Sequence, residues 1–230
     1  MYIYYLYPET TETELSEIAS NLQTSLEANQ ASHLEIEDLD EGLNFGFEGW
    51  GNLKASIYPK DGTTDTLRDA VIDIPHLKQR IKEYDCIKSR VSDSDIDNIE
   101  GEYVDRISDV VELIERVYNE LAPKPAVTYG LTDAEQKCIH EMEGYGLPVT
   151  EDSLAAAELA HLPWLVILPP EIVTTYGRER LLETPVWKTK ALDDGSVLLV
   201  SHVDILHQLD SSMSERNEHL GMESPISHML

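Results

Sequence analysis

Apolar and polar positions alternate with different periods along the chain, and each period predicts an element. From Tyr2 to Tyr7 the residues are aromatic and β-branched and the run stops at Pro8, which reads as a first strand. Thr10 or Thr11 then caps a helix, with Glu14 as the reciprocal partner of Thr11. Leu15, Ile18, Leu22 and Leu26 recur along it at helical spacing. His33 to Asp38 alternates, with Leu34 and Ile36 inward, and Leu43–Phe47 and Leu53–Tyr58 follow as two further strands. The intervening Glu48-Gly49-Trp50-Gly51-Asn52 carries the glycines of a tight hairpin, so the opening third reads β-α-β-β-β.

The middle reads as helical. Thr64 or Asp65 opens a short helix through Ile72, and Pro75 starts another that carries Leu77, Ile81, Tyr84 and Ile87 or Lys88. The acidic turn Ser92–Asn98 leads into a long helix, Gly101–Leu121. Its apolar stripe is Val104, Ile107, Val111, Ile114, Val117 or Tyr118, and Leu121. Ala122-Pro123-Lys124-Pro125 ends that helix and marks the internal boundary.

Beyond it, Ala126–Tyr129 is a short strand and Thr132 caps a helix with Glu135 three residues on. Gly144–Pro148 reads as a loop, and Thr150 caps a short helix over Ser153–Leu159. Trp164–Leu168 is continuously apolar, as in a strand covered on both faces. Pro169-Pro170-Glu171 suits a first helical turn and Gly177 its stop. Val186–Ala191 and Val197–Ser201 flank Asp193-Asp194-Gly195, a hairpin signal. Ser211–Leu230 is polar, contains Gly221 and Pro225, and is expected to fray.

The pattern predicts an α+β fold, a mainly antiparallel sheet with a helical middle and a C-terminal α/β portion ending in a β-hairpin. The expected divisions are an N-terminal part over residues 1–122, a C-terminal part over 126–210 that shares its core, and a flexible tail over 211–230. A chain of 230 residues with 41% hydrophobic side chains can bury a core of its own.

Charge changes the picture most. Against 17 lysines and arginines stand 44 aspartates and glutamates, a formal charge of −27. Nucleic acid is disfavoured as a partner, because each phosphate contact would form in a repulsive field. No apolar run approaches the length of a membrane span, and Met1–Tyr7 lacks the basic flank and cleavage site of a signal peptide. Cys86 and Cys138 are too few for a disulfide framework and suit a reducing interior, so a cytoplasmic location is expected. The acids are dispersed from Glu9 to Glu218 rather than blocked, which favours adaptation to concentrated salt, in the style of halophilic archaeal proteins, over a basic partner as the origin of the charge.

Candidate chemistry is sparse. Asp93, Asp95 and Asp97 alternate as at the start of a calcium loop, but Asn98 stands where glycine is wanted and Val104 where the closing glutamate belongs. With Glu100 and Glu102 they form a solvated acidic turn before a helix N-terminus. His202, Asp204 and His207 offer metal-ligating groups within six positions, although a hydrogen-bonded histidine at an element boundary explains them as well. Cys138 and His140 face apart on a helix, and Cys138 suits a small core position. Gly46, Gly49 and Gly51 fit neither a dinucleotide fingerprint nor a phosphate loop, no nucleophile elbow occurs, and no cofactor is expected. Trp164 and Trp187 are expected in the core, whereas Trp50 in its glycine turn is a candidate partner contact.

Leu162-Pro-Trp-Leu-Val-Ile-Leu168, Pro169-Pro-Glu-Ile-Val-Thr-Thr-Tyr-Gly177, Arg180-Leu-Leu182, Pro185 and Leu192-Asp-Asp-Gly-Ser-Val-Leu-Leu199 together resemble the C-terminal part of the type VI immunity-protein family. The resemblance implies an α+β, non-enzymatic protein that neutralises a cognate toxin by binding it. The acidic helical middle, Asp65–Leu121, departs from that family. The leading expectation is a protein-binding protein that occludes its partner in a high-salt cytoplasm, with Trp50, Asp93, Asp95, Asp97, Glu100 and Glu102 as contacts. The alternatives are an assembly subunit of a halophilic complex or virus, and a metal-dependent enzyme using His202, Asp204 and His207.

Overall fold

A computed structural model describes residues 2–8, 34–39, 42–47, 53–58, 84–90, 103–141, 145–203 and 213–222. The described elements fall into two compact units that meet in sequence between Ala126 and Val127. Both are antiparallel sheets with helices, so the chain is α+β.

The first unit holds β1 (Tyr2–Pro8), β2 (Leu34–Leu39), β3 (Gly42–Phe47), β4 (Leu53–Tyr58), β5 (Tyr84–Arg90) and the helix α1 (Tyr103–Glu120). Every pairing is antiparallel and the strand order is β2-β3-β4-β5-β1. In β1, Ile3, Tyr4, Tyr5 and Leu6 are all buried, so both faces of this strand are covered. Successive side chains of a strand point to opposite faces, and aromatic residues fit that doubly covered position well.

β5 corrects the sequence reading, which extends a helix from Pro75 through Tyr84 and Ile87. It is a strand between β1 and β4, with Ile87 opposite both Tyr5 and Ile57. A seven-residue run with few apolar residues fits a period of 2 as readily as 3.6. Two strand edges far away in sequence decide the matter, which no local pattern reveals. The expected helix from Thr10 or Thr11 past Leu26, the one from Thr64 or Asp65 through Ile72, the first part of the one from Pro75, the hairpin tip at 48–52 and the acidic turn at 92–98 lie outside the described residues.

α1 follows its predicted stripe, with Ile107, Val111, Ile114, Val117, Tyr118 and Leu121 buried. Val104 is the exception: it is half exposed. At the other end the Lys124 Nζ donates to the carbonyls of Tyr118 (2.7 Å) and Asn119 (2.8 Å) and lies 4.7 Å from the centre of the Tyr118 ring. A cation there satisfies carbonyls that the helix leaves open and complements its dipole.

The second unit holds β6 (Val127–Leu131), α2 (Asp133–Glu141), α3 (Glu151–Ala155), β7 (Leu165–Leu168), α4 (Pro170–Tyr176), α5 (Arg178–Leu182), β8 (Lys188–Ala191), β9 (Val197–Val200) and α6 (Met213–Leu220). Its sheet has the order β6-β7-β9-β8, again antiparallel throughout. β7 and β9 are buried along their whole length, which is why both read as unbroken apolar runs. Trp164, just before β7, is buried as expected, whereas Trp187 is only half buried.

Local signals place the boundaries of this unit. Thr150 caps α3 through a reciprocal pair with Ser153, so the helix starts at Glu151. It ends at Ala155, short of the predicted Leu159, where Ala157 takes a left-handed conformation (φ 54°). Pro170 opens α4 and Gly177 (φ 85°) ends it. The β8–β9 turn uses Gly195 at φ 93°, with the Ser196 N–H donating to Asp194 Oδ1 at 3.0 Å.

The second correction concerns the tail. Residues 213–220, expected to fray, form α6, and Met213, Arg216, Asn217 and Leu220 are buried. Their spacing of three and four is that of a helix stripe, but two of the four are polar, so the stripe does not show as hydrophobic periodicity.

Candidate functional site

The residues singled out from the sequence as partner contacts, Trp50, Asp93, Asp95, Asp97, Glu100 and Glu102, lie outside the described residues. So do Asp204 and His207. His202 is described: it is half buried just after β9, and its backbone carbonyl accepts the indole N–H of Trp164 at 2.9 Å. Among the described residues no group of three histidine, cysteine or carboxylate side chains gathers as a metal site. Cys138 is a half-buried free thiol, and burial with the nearby Glu135 and Glu141 carboxylates pushes its pKa up, away from a reactive thiolate.

The structure brings together a different set of groups, at one end of the second unit's sheet. Thr132 and Glu135 form the predicted capping box at the start of α2. Thr132 N–H and Oγ1–H donate to Glu135 Oε2 at 2.8 and 3.1 Å, and the Glu135 N–H donates to Thr132 Oγ1 at 3.1 Å. Unlike most capping glutamates, Glu135 is buried (4% exposed). Its carboxyl also receives the backbone N–H of Trp164 and feels the Arg216 guanidinium of α6. Burial outweighs these and pushes it up to about 7.

Arg216, itself 3% exposed, donates from Nη1 to the Ser201 carbonyl at 3.4 Å. Ser201 is the hub of this end: its N–H donates to the Trp164 carbonyl (2.7 Å), its hydroxyl to the Pro163 carbonyl (2.7 Å), and its own carbonyl also accepts the Trp187 N–H (3.1 Å). One buried carboxyl and one buried guanidinium thus join α2 and α6 to the starts and ends of β7, β8 and β9. The Thr132–Glu135 half is written in the sequence as a capping box. Arg216 carries no local signal, since it meets the cluster only after the tail has folded back.

Beside this node lies a second polar group. The Tyr145 and His161 rings meet edge to face, centroids 5.3 Å apart, and the Leu162 N–H donates to Asn217 Oδ1 at 2.9 Å. Burial alone drives the His161 imidazole down to about 4, so it is neutral at neutral pH. Burial and the Glu135 carboxylate push the Tyr145 phenol up, so it keeps its proton.

Outside these buried groups the second unit is acidic. Asp152, Glu158, Glu171, Glu183, Asp193 and Glu215 are all exposed on its helices and turns. Lys137 and Glu141 form an exposed i,i+4 pair at 3.8 Å, worth little in water. No helix among the described residues is long and apolar enough to cross a membrane. Comparison of the chain with protein-family models, with curated proteins and with solved structures finds no match.

Proposed function

We propose that the protein is a non-enzymatic binding protein that occludes a protein partner in a high-salt cytoplasm, in the manner of an immunity protein. One observation carries this reading. Among the described residues of the second unit the two buried charged side chains, Glu135 and Arg216, are engaged in holding the fold, while its exterior is studded with carboxylates. In concentrated salt such a surface keeps the protein soluble, and its carboxylates can pair with a basic partner at contact range, where screening is weakest. Trp50, Asp93, Asp95, Asp97, Glu100 and Glu102 are the contacts assigned to the partner, the tryptophan for its apolar area and the carboxylates for their charge.

The test is to mix the purified chain with the products of neighbouring genes in molar salt and to follow complex formation by size-exclusion chromatography and calorimetry. A one-to-one complex weakened by Trp50→Ala supports the reading. Failure of every neighbour-encoded product to bind overturns it. A stable homo-oligomer without partner would instead favour an assembly subunit.

A further inference from the structure

Buried polar atoms of the second unit that find no hydrogen-bond partner among the described residues include Tyr145 Oη, His161 Nε2 and Asn217 Nδ2. Their residues are 3%, 2% and 0% exposed. Native interiors leave few such atoms bare, and those they do leave commonly face an ordered water. The three residues are neighbours. The Tyr145 ring sits against the His161 ring at 5.3 Å. Asn217 Oδ1 accepts the N–H of Leu162, the residue after His161, so the amide nitrogen on the same carbon lies beside the 161–162 peptide. The Ala160 N–H, donating to the Pro148 carbonyl at 2.8 Å, holds the 145–149 segment against the residues just before His161.

We propose that Tyr145, His161 and Asn217 enclose a binding site for a small uncharged hydrogen-bonding guest, and that water occupies it. The donor set selects the guest. Asn217 Nδ2 only donates, Tyr145 Oη donates or accepts, and His161 Nε2 takes whichever role its tautomer allows. A molecule that accepts from the amide and exchanges hydrogen bonds with the other two must carry both functions in a small volume, as water does. Charge is disfavoured. An anion would be repelled by the Glu135 carboxylate, which acts on Tyr145, and a cation would meet the Asn217 amide donor. The neutrality of His161, set by burial, fits the same polarity. The site makes the docking of α6 water-mediated as well as direct, because Asn217 would hold Leu162 with one atom and the guest with the other.

A crystal structure of the full chain, at a resolution that shows ordered water, tests this directly. The expected result is a water within hydrogen-bond distance of His161 Nε2 and of Tyr145 Oη or Asn217 Nδ2. A dry site, or direct pairing of all three atoms with protein groups, overturns the proposal. In solution, cross-relaxation between a long-lived water and the His161 ring protons is expected in the wild type and reduced in Tyr145→Phe. A folded wild-type protein with no such signal overturns it equally. The outcome is independent of whether the protein has a binding partner.

Discussion

Thr132 Oγ1 accepts the Glu135 N–H, one half of the capping box, and also donates to the Glu135 carboxyl, which takes the Thr132 N–H as the other half. Removing the hydroxyl exposes two weaknesses at once. α2 loses the acceptor for one of its open N–H groups, and a buried carboxyl loses one of the donors that offset its desolvation. Thr132→Ala is therefore expected to destabilise the protein by about 1–2 kcal/mol, and Thr132→Ser to recover most of that, since serine keeps the hydroxyl. Urea unfolding of the two variants beside the wild type measures both. Equal losses for serine and alanine would mean that the threonine methyl, not the hydroxyl, is what matters.

Among the elements, α6 shows what distance along the chain conceals. Its stripe of Met213, Arg216, Asn217 and Leu220 is helical in spacing, yet Arg216 and Asn217 acquire a reason to be buried from residues distant in sequence, among them Ser201, Glu135 and Leu162. The Asn217–Leu162 hydrogen bond spans 55 residues. β5 is similar, a strand because β1 and β4 both offer it an edge. By contrast, the Thr132–Glu135 and Thr150 caps, the proline-led α4 and the Asp193-Asp194-Gly195 turn were legible, because each is settled by residues a few positions apart. Of the proposed contact residues, sequence reading named the carboxylates and Trp50, but it could not find the Glu135–Arg216 node. Two variants probe the element scale. Asn217→Ala leaves the buried Leu162 N–H without its acceptor, for an expected cost of about 1–3 kcal/mol, and hydrogen exchange at Leu162 should accelerate accordingly. Gly195→Ala forces a side chain onto φ 93° with its Cβ 3.5 Å from Pro170, and about 1–2 kcal/mol is expected from the backbone alone. A Gly195→Ala chain as stable as wild type would show that the β8–β9 turn relaxes freely.

At the scale of the whole molecule, the charge of −27 and the buried node act in different ways. Exposed carboxylates repel one another, and salt screens them; Glu135 and His161 are out of reach of screening and couple stability to pH through burial. Their signs are opposite. Glu135 rises from 4.5 when unfolded to about 7 when folded, so its contribution is full below pH 4.5 and is lost as pH climbs toward 7. His161 falls from 6.5 to about 4, so its contribution is full above pH 6.5 and is lost as pH drops toward 4. Between pH 4.5 and 6.5 folding takes up a proton at Glu135 and releases one at His161, and the two slopes nearly cancel. Single variants should uncover them. Relative to wild type, Glu135→Gln is expected to gain about 3 kcal/mol in going from pH 4 to pH 8. His161→Gln is expected to lose about 3 kcal/mol relative to wild type in going from pH 4 to pH 7. Denaturant unfolding at fixed salt over this range reads the differences, in which the repulsion among surface carboxylates largely cancels because it is common to all three proteins. Parallel curves for either variant and the wild type would show that the residue titrates alike in the folded and unfolded chain, and that its burial does not control its proton.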